Sequence, residues 1–156
     1  MTLNETGSNS TLDDMDLKIL KLLSIDSKMS FADMGQSVHL TGPAVHGRVK
    51  KMEKLGFIKN YSINVDYEKI GLPVTAFVRL QTGKKLSCSD VGKRLVKYAE
   101  IEECHSVAGE DDVIIKTRTK TPLDLQHLLD NMRTEGLSEK SVSIFVLETH
   151  FERGRI

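Results

Sequence analysis

Residues 39–59 read HLTGPAVHGRVKKMEKLGFIK and decide how the first part of this chain folds. Five basic residues stand in this stretch against one acid, although the 156-residue chain carries 22 basic and 22 acidic side chains in all. Positive charge concentrated on a short helix attracts a phosphate backbone. The stretch therefore indicates a nucleic-acid surface. The bases are Arg48, Lys50, Lys51, Lys54 and Lys59, and the acid is Glu53.

The same stretch carries the signals of a helix. Thr41 is a good N-cap, Pro43 falls in the first turn, where its missing N–H costs nothing, and Gly56 is a good stop. Arg48 falls close to the apolar side, where it either reaches outward to a phosphate or pairs with an acid of the first helix. The apolar stripe is Val45, Val49, Met52 and Leu55. The opposite face carries Pro43, Gly47, Lys50, Lys51 and Lys54, with His46 on its flank.

Two further helices precede this one. The first is predicted over 13–23, and the second begins at Ser30, where Asp33 three residues on completes a capping pattern. A short turn at His39 and Leu40 then gives the spacing of a helix-turn-helix over Phe31–Lys50. The alternative is a solvated lysine face without a ligand. The predicted DNA-binding residues are Thr41, Gly42, Pro43, His46, Gly47, Arg48, Lys50, Lys51 and Lys54.

The second half alternates strand, helix, strand, strand, helix, strand. Strands are predicted over 74–82, 103–108, 113–119 and 141–151, and helices over 88–100 and 122–132. This βαββαβ order predicts a four-stranded antiparallel sheet with both helices on one face. Since the other face would carry apolar residues into water, a face-to-face homodimer is its simplest cover.

Composition limits the function. No apolar run approaches the roughly 20 residues that span a bilayer, and the polar N-terminus lacks the order of a signal peptide, so we expect a cytoplasmic, nucleoid-associated protein without a membrane partner. Two cysteines without CxxC spacing predict reduced thiols. We find no G-x-S-x-G, HExxH, Walker loop or paired Cys/His spacing, so we expect no enzyme, no metal and no cofactor.

Several segments together resemble the leucine-responsive regulator family (Lrp/AsnC) of prokaryotic transcription factors. They are LDDMDLKIL from Leu12, GPAVHGRVKKMEKLGFIKNY, the glycine at 71, and ECHSVAGEDDVIIKTR with its G-x-x-D turn. The resemblance extends from Leu12 to Leu147. It implies an α+β chain with an N-terminal winged helix-turn-helix and a C-terminal ferredoxin-like βαββαβ domain. It also implies dimers through the second domain, often assembled to octamers, with amino-acid effectors bound between dimers.

This resemblance and the patterns together predict a domain plan. A disordered tail covers 1–11, the winged helix-turn-helix covers 12–61, with a short strand over 57–63 as its wing, and a linker covers 62–72. The ferredoxin-like domain for ligand sensing and oligomerisation covers 73–151, and 152–156 is a tail.

The effector is expected at the G-x-x-D turn, formed by Gly109, Glu110, Asp111 and Asp112. Gly109 permits close backbone approach, and Asp112 can receive an α-ammonium group in a charge-assisted hydrogen bond. Such an acidic turn favours a ligand amino group, whereas the alternative is a solvated loop without a ligand. Ser141 and Ser143 share one face of the last strand and are candidate effector contacts. The alternative, which the sequence supports equally, is a polar strand face that contacts no effector.

The chain departs from the family pattern at three positions. Gly47 stands where relatives usually carry a large polar side chain on the recognition helix. A glycine inside a helix costs about 1 kcal/mol of helix propensity. Ala108 replaces a small hydroxyl residue before the turn, and Asp111 replaces an aromatic or apolar one.

The leading hypothesis is a sequence-specific DNA-binding transcriptional regulator. It is a homo-oligomer that binds double-stranded DNA and is modulated by a small effector, expected to be an amino acid. The alternative is an architectural regulator that senses no ligand and acts by assembly and DNA bending. A shift of melting temperature with an effector separates the two.

Overall fold

The computed structural model describes residues 11–83 and 86–152. The predicted N-terminal tail lies outside these residues except for Thr11, as does the predicted C-terminal tail except for Glu152. The chain forms two compact units, and the division falls between Asn64 and Val65. None of the helices in the described residues is both long and apolar enough to cross a membrane.

The first unit contains three helices, α1 (Asp14–Ile25), α2 (Phe31–Val38) and α3 (Gly42–Lys54). Each begins where a side chain accepts a hydrogen bond from a backbone N–H of the first turn, and the caps are Asp13, Ser30 and Thr41. These local bonds satisfy amides that a helix leaves free at its start. The buried core of the unit is Ile19, Met34, Val38, Val45, Val49 and Met52.

The tight turn between α2 and α3 depends on Gly35. A Cβ at this position would lie 2.5 Å from the carbonyl oxygen of Leu40, so no larger residue fits without movement of the backbone. The amide of Leu40 donates to the carbonyl of Gly35 at 2.8 Å, and His39 between them adopts a left-handed conformation with φ of 57°. The predicted helix-turn-helix therefore forms, and at Gly35 the backbone of α2 lies against the backbone of the turn.

The second unit is the predicted sandwich of one sheet and two helices. Its strands are β1 (Val74–Gln81), β2 (Ile101–Ser106), β3 (Val113–Thr119) and β4 (Lys140–Phe145), and its helices are α4 (Cys88–Leu95) and α5 (Pro122–Thr134). The strands lie in the order β2-β3-β1-β4, and every neighbouring pair is antiparallel.

Both helices cover the same face of the sheet, because Val91 and Leu95 of α4 and the leucines of α5 share one core with β1 and β3. The strand residues in that core are Ala76, Val78, Leu80, Val113 and Ile115. The predicted α+β class and βαββαβ order are confirmed. The alternate residues of each strand form the opposite face, called here the open face; they include Phe77, Arg79, Ile114, Lys116, Val142 and Ile144.

Three predicted elements are absent or differ from the structure by more than two residues at one end. No strand forms over 57–63, because an isolated extended segment needs a partner and no other strand is described in the first unit. The last strand ends at Phe145 rather than at 151, since the hydrogen bond from Val146 to the carbonyl of Thr75 reaches the start of β1. Helix α4 ends at Leu95 rather than at 100, where the chain tightens and the amide of Tyr98 bonds the carbonyl of Leu95.

Candidate DNA-binding and effector sites

The outer face of α3 carries most of the predicted DNA-binding side chains. Pro43, His46, Gly47 and the three lysines are exposed, while Val45, Val49 and Met52 of the same helix are buried. Thr41 is exposed at the N-cap, and the ring of His46 lies 4.9 Å from that of Phe31 at the start of α2. Gly42 is half-buried against the start of α2. A Cβ added at this position would lie 3.4 Å from the amide nitrogen of Ala32. Leu55, predicted to belong to the apolar stripe, is 44% exposed, and Phe31 at the start of α2 is 38% exposed.

Arg48 does not point with these residues. Its Nη1 donates to Asp13 Oδ2 at 2.6 Å and to Asp16 Oδ1 at 2.7 Å, so it joins α3 to the start of α1. The side chain of Asp16 is fully buried, whereas that of Arg48 is one-third exposed. The hydrogen bond from Arg48 lowers the pKa of Asp13, and the two carboxylates raise the pKa of Arg48. Of the two roles considered for Arg48, the structure places it in an ion pair with helix one.

The three lysines of α3 differ in their surroundings. Lys50 Nζ lies 3.1 Å from Glu53 Oε2, whereas neither Lys51 nor Lys54 has an acidic partner among residues 11–83 and 86–152. The other oxygen of Glu53 accepts a hydrogen bond from the hydroxyl of Tyr61 at 2.9 Å. The hydrogen bonds from Lys50 and Tyr61 lower the pKa of Glu53. Within the described residues, Lys51 and Lys54 are therefore exposed without an acidic partner, whereas Lys50 forms an ion pair with Glu53.

The acidic turn is folded by its own carboxylates. Gly109 has φ of 143°, a conformation that favours glycine. Asp112 Oδ2 accepts from the amide of Thr82 at 2.7 Å and from its hydroxyl at 3.1 Å. Asp111 Oδ2 lies 2.5 Å from Arg79 Nε on the open face. Asp112, expected to receive a ligand ammonium group, instead ties the turn to the end of β1.

Glu110 is the acid of the turn that no ion pair among the described residues engages; its carbonyl accepts from Gln81 Nε2 at 3.1 Å and its side chain is exposed. Ser141 and Ser143 lie elsewhere. The register pairs them with Leu80 and Val78, on the face of β4 that α4 and α5 cover, and β1 lies between β4 and β3, the strand that follows the turn. The structure brings the four turn residues together and leaves the two serines apart from them.

Sequence reasoning missed four residues that shape these sites. Gly35 sets the helix-turn-helix turn, Tyr61 orients Glu53, and Thr82 and Arg79 hold the acidic turn. Gly35 had a local signal, because a glycine inside a helix four residues before a predicted turn indicates close backbone approach. The other three act on partners eight or more residues away and had no local signal. No group of residues in 11–83 and 86–152 is arranged to hold a metal ion.

Comparison with known proteins places both units in one family. Residues 12–53 match the AsnC-type helix-turn-helix domain, and residues 75–156 match the Lrp/AsnC ligand binding domain. The HTH-type transcriptional regulator LrpB of Bacillus subtilis is 34% identical over 140 residues, which cover 90% of this chain and 93% of the relative.

Two solved structures share the fold. The leucine response regulatory protein LrpA of Mycobacterium tuberculosis is 28% identical with a TM-score of 0.82, and the match covers 93% of this chain and 99% of that one. The transcriptional regulator NMB0573 of Neisseria meningitidis, solved in complex with L-Met, is 23% identical with a TM-score of 0.84 over 92% and 94% of the two chains. The helix-turn-helix with its lysine face, the βαββαβ ligand-binding unit and these matches agree, and the chain belongs to the Lrp/AsnC family of DNA-binding transcriptional regulators.

Proposed function

We propose that the outer face of α3 binds the operator, with Lys51 and Lys54 on phosphates and the residues from Thr41 to Gly47 at the base edges. The observation that carries this is a pair of exposed lysines to which no acid of residues 11–83 and 86–152 is paired, next to a tight helix-turn-helix. Helix-turn-helix proteins read bases with the N-terminal part of their second helix. Because few long side chains stand there, base contacts are few, and DNA shape contributes much of the specificity. The relatives are regulators, and we infer that this chain acts by binding rather than by catalysis.

Salt dependence of DNA affinity tests this assignment. The double change Lys51→Ala/Lys54→Ala should weaken binding to all DNA sequences and flatten the slope of log K against log salt by about 1.8, at roughly 0.9 per phosphate contact. The matched control is Lys18→Ala/Lys21→Ala, which removes the same charge from exposed positions of α1. Equal salt slopes for the two double variants would remove α3 from the DNA contact.

We propose that a small effector, an amino acid, binds at the turn formed by Gly109, Glu110, Asp111 and Asp112. The match to a ligand-binding domain supports an effector. Asp112 and Asp111 keep the turn in shape through Thr82 and Arg79, which leaves the exposed Glu110 to receive the amino group of the ligand. Ser141 and Ser143 lie on the face of β4 that the helices cover, and they take no part in this proposal.

A thermal-shift screen of the twenty amino acids tests the effector site, with L-methionine first because the Neisseria meningitidis regulator was solved with it. Glu110→Gln should abolish the ligand-dependent rise in melting temperature, and Glu68→Gln, which neutralises an exposed acid elsewhere in the unit, should not. If the response survives in Glu110→Gln, the turn is a solvated loop. If no amino acid shifts the melting temperature, the architectural alternative takes precedence.

We propose that the chain assembles through the open face of its sheet into a homodimer, which is the unit of any larger assembly such as an octamer. Phe77, Val142 and Ile144 expose 40%, 41% and 49% of their surface there, and Ile114 lies on β3, where Arg79 of β1 separates it from Val142. A contiguous apolar patch of this kind is typical of an interface. The charged residues around it include Arg79, Lys116, Arg118, Glu102 and Glu103.

A further inference from the structure

Glu53 is the only acid within α3, and its position relative to the three lysines is specific. One carboxylate oxygen lies 3.1 Å from Lys50 Nζ, and the other accepts a hydrogen bond of 2.9 Å from the hydroxyl of Tyr61. The side chain of Glu53 is 30% exposed and that of Lys50 is 65% exposed. A carboxylate with both oxygens engaged has a fixed direction, and here that direction is toward one lysine of the DNA-binding face.

Tyr61 supplies the fixing contact from outside the helix. It lies in the segment 57–64, which follows α3, has no helix or strand, and ends at the division between the two units. The segment has no ladder partner within the first unit, and its contacts with α3 include the hydroxyl bond to Glu53 and the hydrogen bonds from the amides of Phe57 and Ile58 to Met52. Movement of this segment would therefore change the constraint on Glu53 without unfolding the core.

The electrostatic consequence concerns phosphate. A lysine that binds a carboxylate must share or release it before its full charge meets a phosphate, and the carboxylate itself repels the same phosphate. The burial of part of Glu53 weakens solvent screening of this interaction relative to a fully exposed pair. Lys51 and Lys54, which have no acidic partner in the described part of the chain, bear no such restraint.

We propose that Glu53, oriented by Tyr61, is a positioning residue that attenuates the contact between Lys50 and DNA, so that segment 57–64 sets the DNA affinity of α3. The inference rests on the proposed role of α3 in DNA binding. It assigns a function to two residues that make no DNA contact themselves.

A double-mutant cycle on the full chain tests this inference by fluorescence anisotropy on non-specific duplex DNA at several salt concentrations. Glu53→Gln should tighten binding roughly two- to fivefold at low salt, the range expected for release of a partly exposed ion pair, and steepen the salt slope by up to about 0.9. Tyr61→Phe keeps the ring and should change both quantities in the same direction by a smaller amount. In the Lys50→Ala background, Glu53→Gln should have a smaller effect, because only the direct repulsion between the carboxylate and the phosphate remains to be removed.

The controls separate this inference from its premise. Glu68→Gln removes an equal charge from the second unit and should leave affinity unchanged. Lys51→Ala/Lys54→Ala, measured in parallel, must weaken binding, because its failure would remove the premise and not only the inference. An equal gain for Glu53→Gln with and without Lys50 would show a diffuse charge effect and overturn the proposal. An unchanged or weaker affinity of the folded Glu53→Gln variant would overturn it as well.

Discussion

Replacement of Arg48 by methionine should destabilise the helix-turn-helix unit without changing its contacts with DNA phosphates. Arg48 joins α3 to Asp13 and to the fully buried Asp16 through bonds of 2.6 and 2.7 Å. Methionine keeps much of the apolar stem but leaves the Asp16 carboxylate without its cation. The remaining interaction is a 3.3 Å hydrogen bond from the amide of Asp13.

The magnitude follows from the burial of the two partners. Removing one partner of a fully buried ion pair costs about 3–5 kcal/mol, because the remaining charge stays desolvated. Arg48 is one-third exposed, so water can enter the space it leaves, and the expected cost falls to about 2–3 kcal/mol. Asp16→Asn combined with Arg48→Met removes the stranded charge and should recover part of this loss.

Hydrogen–deuterium exchange of the full chain provides the assay. Amides of α1 and α3 that exchange by unfolding of the unit should lose protection by roughly 30- to 150-fold in Arg48→Met, while amides of β1 and β3 in the second unit serve as an internal control. Protection of α1 and α3 equal to that of the unmodified chain would refute the role of the ion pair. A flatter salt slope of DNA binding in the folded variant would instead make Arg48 a phosphate contact.

Three further predictions concern other parts of the chain. Gly47→Ala should stabilise α3 by about 0.5–1 kcal/mol in urea unfolding, since its Cβ would meet nothing within 4 Å. Gly92→Ala in α4, an ordinary contact at 3.8 Å, is the control, and only the Gly47 change should alter operator affinity. Asp13 has a pKa below its ordinary 3.8, so its stabilising effect is present at higher pH and is lost as the pH falls below about 4; Asp13→Asn should lack this acid-dependent loss in thermal unfolding. Phe77→Asp should reduce the sedimenting species to a monomer, whereas Val96→Asp, a change at an exposed residue just after α4, should leave the oligomer intact, and a dimeric Phe77→Asp variant would contradict the open-face interface.

Features set by neighbouring residues were predicted well from the sequence. The predicted caps Ser30 and Thr41 accept from amides three residues away and start their helices, and Asp13, predicted as the first residue of a helix, is the cap of α1. The order of elements in the second half follows from local periodicity, and β3 has its predicted bounds, Val113–Thr119.

Features set by distant partners were not predicted. The strand expected over 57–63 has suitable residues but no partner, and the end of β4 depends on where β1 begins. Asp112 Oδ2 accepts two hydrogen bonds from Thr82, 30 residues earlier, and no local signal in the sequence indicates this contact. Whether Arg48 meets DNA or an acid of α1 depends on how the helices pack, which the sequence of α3 alone leaves open. Pairings of this kind are decided by the tertiary fold.

The central claim is that this regulator couples an effector at the acidic turn to DNA binding by α3. It is tested most directly by the dissociation constant for an operator selected from random DNA, measured with and without the amino acid that most raises the melting temperature. We expect the dissociation constant for the operator to change by at least about fivefold when the amino acid is bound. The affinity for the amino acid should change by the same factor when the operator is present, because coupling between two sites is reciprocal. An operator affinity that stays the same at saturating amino acid would contradict the claim.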